Sequence, residues 1–286
     1  MLTALYKREL GSFFFNYSAY FIFAVYMVFS LVFAVFVGMY FVVDNPAMRS
    51  YFAFQPLVLS VTLPAVTGRL WSEEAKTGTL EALLTLPADD LTLVFGKFAA
   101  AWTMGGLMIL TSVPLALLTA GTVAVDPLNL ASAYFGALLA AAALSALGCA
   151  VSCLIPLPAA AYLVSVFFGW LLIFFNPAPL FSPLAGVWPE MPFYLPSALD
   201  FSSRYQSFTD GYFGLDGVFY FVSLTAALLA FNWVAVYAER IGRLNAGARY
   251  FWPARCWLCF LSSPICSSAG WSAAASWMQR RQGVTR

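Results

Sequence analysis

The side chains able to do chemistry are concentrated in one stretch, EEAKTGTLEALLTLPADD. It gathers Glu73, Glu74, Lys76, Glu81, Asp89 and Asp90 between two long apolar runs. Carboxylates can ligate metals, shuttle protons or form ion pairs, and the rest of the chain narrows the choice. There is no histidine. Cys149 and Cys153 lie four apart in an apolar run and read as small packing residues, and Cys266 stands alone. Cys256 and Cys259 form a lone CWLC without a second such pair or a βαβ context, so neither a zinc centre nor a redox pair is expected. No GxxxxGK[ST] loop is present to cradle phosphates, so no metal or cofactor is expected on this chain. What remains for the charged stretch is ion pairing and mechanical contact.

The elements that must position it follow from composition. The chain has 286 residues, of which 62% are hydrophobic and 9% charged, with a mean hydropathy of +0.82. Soluble domains carry about 25% charged residues. Long charge-free runs make this an all-α polytopic membrane protein. Six spans are expected, at about 19–43, 54–71, 98–120, 130–155, 159–180 and 218–238. The second contains Pro56 and Pro64 and is expected to kink or tilt. The run lengths and the lack of alternation exclude strands. The first apolar run is too long, and too rich in Phe and Tyr, for a cleavable signal.

Charge sets the expected orientation. With the N-terminus inside, Lys7, Arg8, Arg69, Lys76, Lys97, Arg240, Arg243, Arg249 and Arg255 are internal, and only Arg49 and Arg204 are external. The outer loops then hold Asp44, Asp126, Glu190, Asp200, Asp210 and Asp216. A net charge of +1 gives no single-signed face for nucleic acid. Residues 256–278 carry no charge, but a seventh span there would export Arg280, Arg281 and Arg286. Residues 244–286 are therefore expected to be a cytoplasmic or interfacial tail, behind a membrane domain over 1–243.

Between the spans, LTALYKRELGSFF is expected to form an interfacial helix. Leu2, Leu5, Leu10 and Phe13 would face lipid, and Lys7, Arg8 and Glu9 water or headgroups. The fourth span is rich in small residues, including Gly136, Ala140 and Gly148, which suits close helix packing. Residues 176–217 are dense in proline between Pro177 and Pro196 and belong at the outer membrane face, either as a loop or with short helices dipping back. In the charged stretch, TLEALLTL reads as a short helix. Thr77 or Thr79 would cap it, Gly78 allows a sharp turn into it, and Pro87 ends it. Asp89 is placed to cap the helix that follows. The result is a rigid charged knob beneath the membrane, suited to docking in a groove of a soluble partner.

Several of these segments carry a family pattern. YKREL at 6–10, RLWSEEAKTGTLEALLTLP at 69–87, GKF at 96–98, the span ending through Gly148, Ser152 and Leu154, the segment 194–225 and the closing Glu239 and Arg240 resemble ABC-2 type permeases. These are the membrane subunits of ATP-binding cassette exporters, and the gliding-motility-associated and nitrous-oxide-reductase-maturation types are the most similar. The resemblance covers about residues 1–243 and is most specific over 69–98. IPLPAA at 155–160 departs from the polar turn usual there, and 244–286 lie outside it.

The resemblance implies a six-helix, type V exporter-like membrane domain with both termini cytoplasmic, in a bacterial or archaeal inner membrane. It implies that residues 73–87 meet a separate ATPase dimer, which holds the ATP and Mg, and that a second permease completes the assembly. Glu73, Glu74 and Glu81 would then make polar contacts, to the ATPase or to the chain's own first segment. Gly78 and Thr79 would shape the turn, Leu83 and Leu84 would pack on the permease, and Pro87 would stop the helix. The chain itself would not be an enzyme. A membrane subunit that transmits force without transporting, and a secondary transporter, are the alternatives. An intramembrane enzyme is disfavoured because the spans hold few polar groups at depth.

Overall fold

The computed structural model describes residues 2–37, 49–80, 89–120, 126–175 and 200–244. The chain divides into two units, Met1–Tyr237 and Ala238–Arg286. Of the second, only 238–244, the end of the last helix, are described, and the fold that follows is that of the first. All regular structure among the described residues is helical. The helices are α1 (Leu2–Phe14), α2 (Tyr17–Val32, continued by a π-helical turn Phe33–Val37), α3 (Arg49–Ala53), α4 (Gln55–Leu70) and α5 (Ser72–Thr77). They continue as α6 (Asp90–Leu110), α7 (Val113–Ala120), α8 (Pro127–Leu154), α9 (Pro158–Phe174), α10 (Phe201–Thr209) and α11 (Leu215–Leu244).

Among the described residues, four segments are long and apolar enough to cross a membrane: Tyr17–Phe36, Asp90–Leu117, Pro127–Leu154 and Leu215–Arg240. The chain is a multi-pass α-helical membrane protein. The best apolar window of α8 is 72% buried inside the protein, whereas those of the first and last spans are 22% buried, so α8 is the axis and α2 and α11 form the rim.

The sequence of α8 explains its place. Asp126 caps its start by accepting from the Leu128 N–H, and Pro127 follows in the first turn. Alanine, glycine and serine then line it, so neighbours approach closely. A Cβ on Gly148 would lie 1.9 Å from Thr67 Oγ1, so α4 and α8 touch at a point only glycine permits. The α8 serines return their hydroxyls to carbonyls of their own helix, Ser145 to Ala142 O and Ser152 to Cys149 O. These two buried hydroxyls are thereby satisfied inside the protein.

α4 has 16 residues, about 24 Å at 1.5 Å per residue, short of a full hydrocarbon core. It is buried along nearly its whole length between α2, α8 and α9. Pro56 sits in the first turn, where no amide hydrogen is needed, and Pro64 lies inside the helix. At the Gln55 end, a neutral polar network ties α2, α3 and α4 together. Tyr26 Oη donates to Gln55 Oε1 at 2.7 Å, Gln55 Nε2 donates to Ser30 Oγ at 2.8 Å, and Ser30 Oγ donates to Tyr51 Oη at 3.2 Å. α10 closes the same end. Its Phe201, Tyr205 and Phe208 are buried, Ser132 Oγ donates to Phe208 O, and Tyr205 Oη donates to Phe52 O.

One boundary differs from the sequence reading. The third span was expected from Phe98, but its helix begins at Asp90. Lys97 does not end the span because it is fully buried and paired inside the protein. Asp89 occupies the N-cap position of α6 without a side-chain capping bond. Of the expected outer segment 176–217, residues 176–199 lie outside the described residues. α10 is its described helix and packs on α8.

Candidate functional site

The candidate site lies at the end of the bundle that carries α1, here termed the basal end. It is assembled by close packing between α1 and α6. A Cβ on Gly96 would come within 2.6 Å of Leu5 Cδ2, so α1 crosses α6 against a glycine. One helical turn beyond Leu5 is Glu9, and the residue after Gly96 is Lys97. The crossing brings a carboxylate and an ammonium together in the interior.

Lys97 has no exposed surface. Its Nζ donates to Glu9 Oε1 at 3.2 Å and to Leu70 O at 2.9 Å, and pairs with Glu74 Oε1 at 2.9 Å. Two are hydrogen bonds and the third is an ion pair. Nζ also lies 4.9 Å from the centroid of the Trp71 ring, a cation–π distance. Leu70 O belongs to the last turn of α4, whose carbonyls lack helical donors, so the lysine also caps that helix. One buried cation therefore joins α1, α4, α5 and α6.

Arg8 closes the cluster from the solvent side, with Nη2 2.8 Å from Glu9 Oε1 and 3.0 Å from Glu74 Oε1. Its partial burial disfavours the charged form, but the hydrogen bonds and charges of Glu9 and Glu74 outweigh this and hold its pKa above the ordinary value. Glu74 bonds the chain's own first helix, as one of the expected alternatives had it. Glu9 departs from expectation. It is buried and faces α6 rather than water, and Leu5, Leu10 and Phe13 pack on the protein core rather than only on lipid. Lys7 is exposed.

α5 is anchored independently at its start. Ser72 Oγ bonds Ile155 O at 2.6 Å and Ser152 O at 3.1 Å, satisfying carbonyls at the end of α8. Arg69 reaches across with Nε to Glu73 Oε1 and Nη1 to Ser18 Oγ, both at 2.6 Å, tying the foot of α2 to α4 and α5. Gly78 ends α5 with φ of +76°, the left-handed conformation glycine adopts without a Cβ penalty. Thr77 and Thr79 bond back onto α5, Thr77 Oγ1 to Glu73 O at 2.8 Å and Thr79 Oγ1 to Glu74 O at 3.5 Å, and the body of the helix expected to follow them, residues 81–88, lies outside the described residues. Leu80 is buried against Leu70, Trp71 and Leu93. Glu81, Leu83, Leu84 and Pro87 lie outside the described residues.

A cleft of about 570 Å³ opens beside this cluster, with Arg8, Glu9, Arg69, Glu73, Glu74 and Thr79 on its walls. Glu74 Oε2 is buried and has no hydrogen-bond partner among the described residues. No group of three or more metal-ligating side chains converges among the described residues. The arrangement can hold charge and anchor α5.

Compared with known proteins, the chain matches no protein-family model, and no curated protein aligns with it significantly.

The sequence placed Glu73, Glu74, Thr79, Arg8 and Glu9 in the candidate set, and the fold brings them together around one cleft, with Gly78 in the turn beside it. It left out Lys97, Arg69, Ser72 and Trp71. Lys97 carried a signal: a lone cation within an otherwise apolar helix, directly after a glycine, needs buried partners.

Proposed function

We propose that the chain is the membrane-spanning permease subunit of an ATP-binding cassette exporter, driven by a separate cytoplasmic ATPase dimer and paired with a second permease, in the cytoplasmic membrane of a bacterium or archaeon. The observation that carries this is the basal knob. α5 and the Gly78 turn project Glu73, Lys76, Thr77 and Thr79 to the exterior, while Ser72, Glu74 and Leu80 fix the same element to α8, α6, α1 and the core. An element exposed on one side and bonded to several helices on the other passes a push from a partner to those helices together. The RLWSEEAKTGTLEALLTLP block supplies the family reading of that push. Nucleotide hydrolysis belongs to the partner, and this chain contributes no bond-making step.

The test is co-purification from native membranes followed by ATPase assay. Glu73→Ala combined with Glu81→Ala is expected to lower recovery of the ATPase several-fold, because both remove charge on the proposed contact. Unchanged recovery and unchanged coupled hydrolysis would discard the coupling assignment. Recovery of a different class of partner from wild-type membranes, with no ATPase, would discard the exporter reading as well.

A further inference from the structure

We propose that the basal cleft is a binding site for the headgroup of a zwitterionic membrane phospholipid, a phosphate joined to a primary ammonium. The proposal rests on the membrane location of the chain and not on its being an exporter subunit.

The cleft lies at headgroup depth. Asn16, immediately before the first residue of the first span, and Leu70, the last residue of α4, both line it. Next to it, Phe15 and Tyr17 are 92% and 90% exposed, the kind of aromatic side chains that sit at a membrane–water interface. From Tyr17 an exposed apolar face continues up α2 through Tyr20, Phe21 and Val28, one surface along which acyl chains can run.

Charge selects the headgroup. Arg8 and Arg69 supply two guanidinium groups, and Glu9, Glu73 and Glu74 three carboxylates. Lys97 contacts two of those acids from behind, so three cations balance three anions. A balanced cleft does not favour a ligand of net charge. It favours one that carries both signs, with phosphate against the guanidinium groups and ammonium against the carboxylates. The carboxylates of Glu73 and Glu74 on the cleft wall are acceptors that suit an N–H donor. A primary ammonium has such donors and a quaternary ammonium has none. The order of preference is therefore phosphatidylethanolamine over phosphatidylcholine over phosphatidylglycerol.

The test uses the full chain purified in detergent and delipidated, with thermal unfolding followed as each dioleoyl lipid is added to mixed micelles. Phosphatidylethanolamine is expected to raise Tm by about 5 °C more than phosphatidylglycerol, with phosphatidylcholine between them. Ser12 lines the cleft without joining its ion pairs, and Ser12→Trp is expected to fill it and abolish the preference while leaving the lipid-free Tm unchanged. Glu74→Gln gives a second arm and is expected to make the ethanolamine and choline lipids equivalent. Equal or greater stabilisation by phosphatidylglycerol overturns the proposal, as does a preference that survives both variants. Soluble phosphoethanolamine giving the full shift overturns the lipid assignment in favour of a free ligand. An exporter subunit that failed to bind ethanolamine lipid would still co-purify with its ATPase, so the two readings fail separately.

Discussion

The two ends of the bundle are held by polar clusters of different chemistry. At the end where α4 begins, Tyr26, Ser30, Tyr51 and Gln55 form a chain of neutral hydrogen bonds, buried and joined through both polar atoms of the Gln55 amide. At the basal end, Arg8, Glu9, Glu74 and Lys97 form a charged cluster beside an open cleft, with one carboxylate oxygen unpartnered among the described residues. Neutral groups in a low-dielectric interior need only local partners. Buried charges need partners of opposite sign, and those partners come from α1 and α5, which lie on either side of the membrane-spanning run in the sequence. The neutral cluster fixes one geometry. The charged cluster makes several helices depend on one cation, so a displacement of α5 is felt by α1 and α6.

The strongest way to break this contrast is to remove the cation. Lys97→Met leaves Glu9 and Glu74 facing each other in the interior with only Arg8 between them. Breaking a buried pair costs about 3–5 kcal/mol, and the low end, about 3 kcal/mol, is expected because Arg8 still bonds both acids. Adding Glu9→Gln to Lys97→Met is expected to restore more than half of the loss, since the surviving acid keeps Arg8. Unfolding in detergent of the two single variants and the double gives the coupling directly. Additive losses would mean that the pair is not coupled and that α1 is not tied to α6 by charge.

The neutral cluster is expected to respond less. Gln55→Leu keeps the volume but removes the acceptor of the Tyr26 hydroxyl and a donor to Ser30. Burying an unpaired hydroxyl costs about 1–2 kcal/mol, less than an unpaired charge. The same unfolding measurement is expected to place Gln55→Leu below Lys97→Met. The reverse order would show that the neutral end is the more tightly determined of the two.

Much of this contrast is legible in the sequence, but unevenly. The helical class, the approximate spans and the small-residue helix follow from hydropathy and composition, because lipid permits few ways to satisfy a backbone. Gly78 was readable as a turn because few other residues adopt the conformation needed there. Lys97 was read only as part of a positive flank, because hydropathy counts each charge as an end of the hydrocarbon. That rule fails when two acids from distant segments neutralise it. Glu9 failed for the same reason. The helical period placed it beside Lys7 and Arg8 on a wet face, and only the approach of Leu5 to Gly96 turns it inward. Pairing between residues 9, 74 and 97 is tertiary information that no local pattern contains.

The smallest expected effect tests whether the basal end works through the shape of its backbone as well as through charge. Gly78 has φ of +76°, and nothing lies within 4 Å of a Cβ built there, so Gly78→Ala meets no steric neighbour. Its cost is then the left-handed backbone alone, about 1 kcal/mol for an L-residue. Asn tolerates this region better, so Gly78→Asn is expected to lose about half as much. If the turn only ends α5, unfolding will record these small losses and ATPase recovery will not change. If the turn sets the angle at which the knob meets its partner, Gly78→Ala will lower recovery more than its stability loss explains, and Gly78→Asn will restore most of it. Equal recovery for wild type, Ala and Asn would show that the backbone shape of this turn plays no part in the proposed partner contact.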